Sequence, residues 1–194
     1  MSEENQDYGV DSSTGEVMMS SQQLALLSAR DMIVAGDSVR FIHVRNDCSA
    51  AGGAFKVGDD TIAKSMDAVL IAARLIPNAA LFTKKGTEPK PQDWVQVLFI
   101  DDAYGKFKST LIKTRSISGF SKFIDALQAM NKSPVGVSFS MRFADAEGEN
   151  DKGEKFKYKY MTFERKETES KYKGLAIETR AKIDIGELDY PAFD

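Results

Sequence analysis

The segment from Phe156 to Arg165 constrains the fold of this chain most strongly, because its residues alternate as a β-strand requires. Successive side chains of a strand point to opposite faces. The sequence Phe-Lys-Tyr-Lys-Tyr-Met-Thr-Phe-Glu-Arg therefore separates two rows of side chains. The first row holds Phe156, Tyr158 and Tyr160, and the second holds Lys157, Lys159, Met161, Phe163 and Arg165.

These ten residues admit two interpretations. As one strand of a hairpin, they place the aromatic side chains in the core and leave the lysines in solvent. As part of an open surface, they suit single-stranded nucleic acid, because bases stack on rings while phosphates pair with cations. The pattern alone leaves both interpretations open.

The distribution of charge along the chain indicates more about possible ligands than the net charge does. The 194 residues carry a net charge of −3. Residues 1–16 hold five acidic and no basic side chains, and residues 183–194 hold four acidic and no basic ones. Removing these nine negative charges leaves +6 for residues 17–182. A basic body can hold phosphate, and acidic ends can compete for the same surface or simply favour solubility.

Composition argues against several classes of protein. No apolar run approaches the ~20 residues of a membrane span, and the acidic start is unlike a secretory signal. The single Cys48 forms no internal disulfide, which fits a reducing, cytoplasmic setting. One cysteine and one histidine, His43, provide no zinc site, so we expect no metal and no other cofactor. Asp101-Asp102 is typical of a turn, and the absence of any catalytic motif predicts a protein that is not an enzyme.

Hydrophobic periodicity predicts a mainly β fold with one internal helix. The predicted strands span 61–82, 94–101, 106–117, 135–144 and 155–166, and the predicted helix spans 118–130. Upstream, a capping box at Ser20–Gln23 predicts a helix that ends near Val34. A strand at 38–45 and a loop at 46–60 follow it. Residues 61–82 also fit a helix, and residues 175–185 fit a further strand or a frayed end.

Three strands, a helix and two strands form the element order of a five-stranded oligonucleotide-binding (OB) barrel, in which the helix plugs one open end. An α+β sandwich with one helix shares that order. The expected organisation has four parts. They are an acidic flexible leader at 1–16, an N-terminal helix and strand extension at 17–60, an OB-like domain at 61–182 and an acidic tail at 183–194.

This layout resembles that of phage-type single-stranded DNA-binding proteins. The resemblance covers residues 61–166 and the ending Leu188-Asp189-Tyr190-Pro191-Ala192-Phe193-Asp194. It implies sequence-nonspecific binding of single-stranded DNA in replication and recombination, in the host cytoplasm, and a tail that recruits replication proteins. The tail residues that would contact such partners are Glu187, Asp189, Tyr190, Phe193 and Asp194.

Aromatic and basic residues of the predicted strands are the candidates for the nucleic-acid site. Those that could stack on bases are Trp94, Phe107, Tyr158 and Tyr160, with Phe139 and Phe143 as further rings. Those that could contact phosphate are Lys106, Lys108, Lys113, Arg115, Arg142, Lys157 and Lys159. The alternative is a virion or assembly protein whose rings anchor a subunit interface. A homo-oligomer fits both functions, and a small enzyme is a residual hypothesis.

Overall fold

The computed structural model describes residues 32–35, 39–81, 90–150, 152–185 and 188. The predicted acidic leader, most of the predicted N-terminal helix and the five predicted partner-binding tail residues lie outside this part of the chain. The described elements are β1 Met32–Ala35, β2 Val39–His43, β3 Arg45–Asp47, β4 Ala54–Val57, β5 Asp60–Ala63, β6 Met66–Ala79, β7 Gln92–Asp101, β8 Phe107–Lys113, α1 Arg115–Ala129, β9 Ser138–Glu149, β10 Lys155–Arg165 and α2 Lys173–Lys182. The prediction of a mainly β, α+β fold is confirmed.

Seven strands form one sheet in the order β1-β2-β8-β7-β6-β9-β10, and β3-β4-β5 form a second, small sheet. All neighbours in the large sheet are antiparallel except β2 and β8, which are parallel. The helix α1 follows β8 and precedes β9, as the sequence predicts. Its apolar residues Phe120, Phe123 and Leu127 are buried on one side, as their helical spacing requires.

The prediction of a closed five-stranded barrel is wrong, because the described sheet is open and contains seven strands. Strand β8 pairs with β2 instead of closing onto β10. The free edge of β10 is met by other groups. The amide of Lys159 donates to the carbonyl of Cys48 at 2.9 Å, and the amide of Met161 donates to Ser116 Oγ at 3.0 Å. A loop of the small sheet and the first turn of α1 therefore occupy the position where barrel closure was expected.

Other local predictions also differ from the structure. The predicted strand at 61–82 is divided between β5 and β6, which belong to different sheets, and the strand predicted to end at 117 ends at Lys113. The predicted loop at 46–60 contains β4 and parts of β3 and β5, whose turns use Gly53 and Gly58 at φ +94° and +57°. The end of the predicted N-terminal helix is the strand β1, which pairs with β2. The ambiguous segment 175–185 lies largely in the helix α2, where Lys182 Nζ and Glu178 Oε1 form an ion pair four residues apart, at 2.6 Å.

Strand β9 extends five residues beyond its predicted end, to Glu149. The reason is its pairing with β10, which brings Glu149, Glu147 and Asp145 opposite Lys155, Lys157 and Lys159. Opposite charges on directly paired residues stabilise a hairpin, so a segment rich in Gly, Asp and Glu becomes a strand. We call this projecting pair of strands the β9–β10 hairpin.

Apolar side chains pack on both faces of the large sheet. On one face, Phe99 and Phe139 pack with α1 and with Phe55 of the small sheet. On the other face, Ile71 and Leu98 pack beneath α2 and the segment that follows it, which contributes Leu188. Because both faces are covered, little of the central sheet is available to a ligand.

The buried pair Lys108–Asp101 gives a test of this packing. Both residues are less than 10% exposed, and their side chains form an ion pair. Substitution K108M leaves the Asp101 carboxylate buried without its cation, so we expect the free energy of unfolding to fall by about 3–5 kcal/mol. The exposed ion pair of Lys182 with Glu178 provides the control. K182M should change the free energy of unfolding by less than about 0.5 kcal/mol. Urea unfolding measures both, and equal small changes would contradict the described burial.

The buried His43 makes stability depend on pH. Burial, with a smaller effect of Arg45, lowers the pKa of His43 from 6.5 to about 4. The unfolded chain takes up this proton near pH 6.5 and the folded chain only near pH 4, so acid favours unfolding across that window. We expect stability to be about 2 kcal/mol lower at pH 5 than at pH 7. Urea unfolding of the wild type and H43Q at both pH values tests this, since the variant lacks the chain's only histidine. Equal pH dependence in both proteins would disprove it.

Candidate nucleic-acid interface

The three rings predicted to share one face of β10 do so on the β9–β10 hairpin. Phe156, Tyr158 and Tyr160 lie opposite Gly148, Ala146 and Ala144 of β9. The ring centroids of Phe156 and Tyr158 are 5.8 Å apart. Phe156 is 48% exposed, and both tyrosines are half-buried. We call these three residues the aromatic row.

Small residues on β9 allow these rings to lie across the hairpin. A Cβ atom at Gly148 would lie 2.7 Å from the Phe156 ring, which is closer than van der Waals contact permits. Glycine at this position therefore leaves space for the ring to cover the neighbouring strand. Ala144 and Ala146 keep the remaining cross-strand side chains short. As a result the rings remain accessible at the surface of the hairpin.

Arg115 adds a cation to the aromatic row. It is the first residue of α1, which follows Thr114 at the unusual φ of +48°. Its guanidinium carbon lies 4.5 Å from the centre of the Tyr160 ring, within the range of a cation–π contact. A hydrogen bond with Tyr158, and next the attraction of Tyr160, raise the pKa of Arg115 further. We call Arg115 and the aromatic row the Arg115 cluster.

The charges around the Arg115 cluster are mixed. Arg115 and Lys157 line an open cleft together with Asp145 and Glu147. Asp145 is engaged by Lys159, whose Nζ lies 2.5 Å from Asp145 Oδ1. In the described part of the chain, neither Arg115 nor Lys157 forms an ion pair with a carboxylate. Arg115 is therefore available to an anionic ligand, whereas Lys157 lies directly opposite Glu147 on the hairpin.

The structure separates the other predicted phosphate contacts. Strand β8 pairs with β7 without a bulge, so Lys108 and Lys113 point to opposite faces and the expected single row does not form. Lys108 is in the buried ion pair with Asp101, and Arg142 lies 3.9 Å from Glu164. Lys106 is exposed in the turn between β7 and β8, where its carbonyl accepts from the amide of Asp101 at 2.9 Å.

Four of the rings considered for stacking belong to the core. Trp94 is 6% exposed, its Nε1 donates to the Ala79 carbonyl at 3.0 Å, and Lys113 lies 5.3 Å from its ring. Phe107 packs edge-on against the buried Phe41. Phe139 is fully buried, and Phe143 packs on Phe55 at 4.9 Å between centroids. Tyr158 and Tyr160 are thus the predicted rings that reach the surface together.

Sequence reasoning missed how Arg115 is used. It placed Arg115 on a strand as one of a row of cations, whereas the residue starts α1 and contacts the tyrosines. The sequence feature that could have revealed this is Thr114, because threonine is favoured directly before a helix. The apolar pattern had instead suggested that the strand continues to residue 117. Phe156 was recognised in the row, but its exposure depends on Gly148, which only pairing of the two strands reveals.

Asp101 and Asp102 lie in the predicted turn, where Asp101 Oδ1 accepts from the amide of Ala103 at 2.9 Å. The described residues contain no group of three or more side chains able to hold a metal ion. Neither described helix has the length and hydropathy needed to cross a membrane.

The comparisons with known proteins yield no relative. No protein-family model matches the chain, and no curated protein or solved structure is significantly similar to it.

Cys48 gives a test of the described contact between the small sheet and β10. Burial raises the pKa of its thiol from 9.0 to about 11. Because the thiolate is the reactive form, we expect alkylation by iodoacetamide at pH 8 to be about 100-fold slower in the folded protein than in urea. Mass spectrometry over time measures both rates. Equal rates would mean that Cys48 is not held against Lys159 as described.

Proposed function

We propose that this protein binds single-stranded DNA without strong sequence preference, and that the Arg115 cluster is the contact surface. One observation carries the proposal. An exposed guanidinium with no carboxylate partner among the described residues lies 4.5 Å from one tyrosine ring and beside a second, at the end of a row of accessible aromatic side chains. The proposed role is one of binding, without catalysis.

The chemistry of this cluster matches that of an unpaired strand. A base has an aromatic face whatever its identity, so stacking on Phe156 or Tyr158 gives affinity without reading sequence. Arg115 can stack on a ring and at the same time pair with phosphate oxygens through its planar fork. A duplex keeps its base faces inside the helix, so this surface favours single strands.

Two wider features support the proposal. The basic body formed by residues 17–182 attracts a polyanion over a longer range than any one contact. The order β8-β7-β6-β9-β10 is compatible with an OB barrel opened along one seam, a fold that often holds single-stranded nucleic acid. These features suit a protein that coats exposed strands during replication or recombination in the cytoplasm, for instance that of a phage-infected cell. The tail from Glu187 to Asp194 would then contact replication proteins.

An assembly function is the second candidate, and exposed apolar side chains favour it. Leu75 on β6 is 59% exposed and Ile177 on α2 is 48% exposed, and either could anchor a subunit interface. Light scattering without nucleic acid separates the two functions. A large, ordered oligomer favours assembly, whereas a small particle that binds labelled DNA favours the first proposal.

Replacing the two tyrosines tests the proposed function. We expect Y158A/Y160A to weaken binding of fluorescein-labelled dT12 by about 1–3 kcal/mol for each base that no longer stacks on a ring, measured by fluorescence anisotropy at low salt. Y158F/Y160F keeps both rings and should retain most of the affinity. Y104A removes a tyrosine that is 62% exposed in the turn after β7 and should have no effect.

The same titration contains the outcomes that would overturn the proposal. One is that the wild type fails to bind dT12 at low salt, and another is that it binds duplex DNA equally well. A third is that Y158A/Y160A and Y104A behave alike while circular dichroism shows both to be folded.

A further inference from the structure

A second basic site lies at the far end of α1. A cleft of about 400 Å³ is bounded by the chain after α1, the end of β10 and the start of α2. Val135, Val137 and Ile177 provide its apolar lining. Its charged side chains are Lys132, Arg165, Lys166, Glu167, Glu169 and Lys173. Four cations face two carboxylates, so the cleft carries an excess of positive charge.

Two of the four cations have carboxylate partners. Lys173 Nζ lies 2.5 Å from Glu169 Oε1, and Lys166 Nζ lies 2.6 Å from Asp67 Oδ2. Lys132 and Arg165 form no ion pair with a carboxylate of the described residues, and Arg165 Nη1 lies 4.0 Å from a thioether sulfur. The pKa of Glu169 is lowered chiefly by Lys173, and Lys132 and Arg165 add to this effect.

The cleft and the Arg115 cluster lie at opposite ends of α1, and Arg165 projects from the face of β10 opposite to the aromatic row. Helix α1 runs beside β10, with Arg115 against Tyr160 at its start. In the middle, the rings of Phe120 and Phe163 are 5.1 Å apart. At its end, Met130 contacts Arg165. The 15 residues of α1 span about 22 Å, which separates the two basic sites by several nucleotides.

We infer that Lys132 and Arg165 form a second phosphate-binding site, and that a single strand held by the Arg115 cluster passes over α1 to reach it on the other face of β10. This inference rests on the proposed function and deepens it, because it gives the bound strand a path and a minimum length. At the duplex rise of about 3.4 Å per nucleotide, 22 Å corresponds to roughly six nucleotides, and to fewer when the strand is extended. The acids Glu167 and Glu169 oppose this binding but leave the cleft with a positive balance.

Oligonucleotide length provides the test. A dT3 strand can occupy the Arg115 cluster alone, whereas dT12 can reach both sites. We expect K132Q/R165Q to weaken dT12 binding about ten-fold at low salt and to leave dT3 binding unchanged. The slope of log affinity against log salt should fall in magnitude by about 1.4 for dT12, or about 0.7 for each phosphate that is no longer neutralised. K64Q/K90Q removes two exposed lysines elsewhere and should change neither quantity.

The outcomes separate this inference from the proposed function. If Y158A/Y160A weakens both oligonucleotides while K132Q/R165Q changes neither, the second site is wrong and the first stands. Equal loss of affinity for dT3 and dT12 also overturns the second site, and failure of the wild type to bind either strand overturns both. Because Arg165 is half-buried, K132Q alone is the companion variant and should reduce the dT12 slope by about 0.7.

Discussion

The packing of the small sheet and of α1 against the large sheet depends on the hydrogen bonds made by the free edge of β10. An edge strand with unpaired amides would pair with another chain unless something occupied it. Here the amide of Lys159 donates a hydrogen bond to the carbonyl of Cys48, and the amide of Met161 donates one to the hydroxyl of Ser116. These two bonds hold the small sheet and the start of α1 against β10. They therefore also place Arg115 beside the tyrosines of the same strand.

The two faces of the β9–β10 hairpin, which carries the proposed site, differ in their side chains. One face is a ladder of lysines opposite acidic residues, which stabilises pairing and leaves little net charge. The other face carries three rings over Gly148 and alanines, so the surface that it presents is mainly aromatic. Arg115 supplies from α1 the cation that this second face lacks. The proposed binding surface thus combines side chains of α1 and β10, two elements that are not consecutive in the chain.

The sequence predicted well those features that depend on local pattern. The alternation around Tyr158 and the helical stripe around Phe123 identified β10 and α1 with small errors at their ends. Features set by partners elsewhere in the chain were not predictable in this way. Lys108 has the pattern of a surface cation until its carboxylate partner, Asp101, is found across the turn. Likewise the residues around Phe55 have the composition of a loop, because their strands are short and their core partners lie on other elements.

Chemical-shift mapping with dT12 on isotopically labelled protein tests the central claim most directly, because it locates the ligand without changing the chain. The account predicts that the largest shifts fall on Arg115, Phe156, Tyr158 and Tyr160, and that they saturate with the amount of DNA bound. Shifts centred on the face around Leu98 and α2, with the Arg115 cluster unaffected, would contradict it.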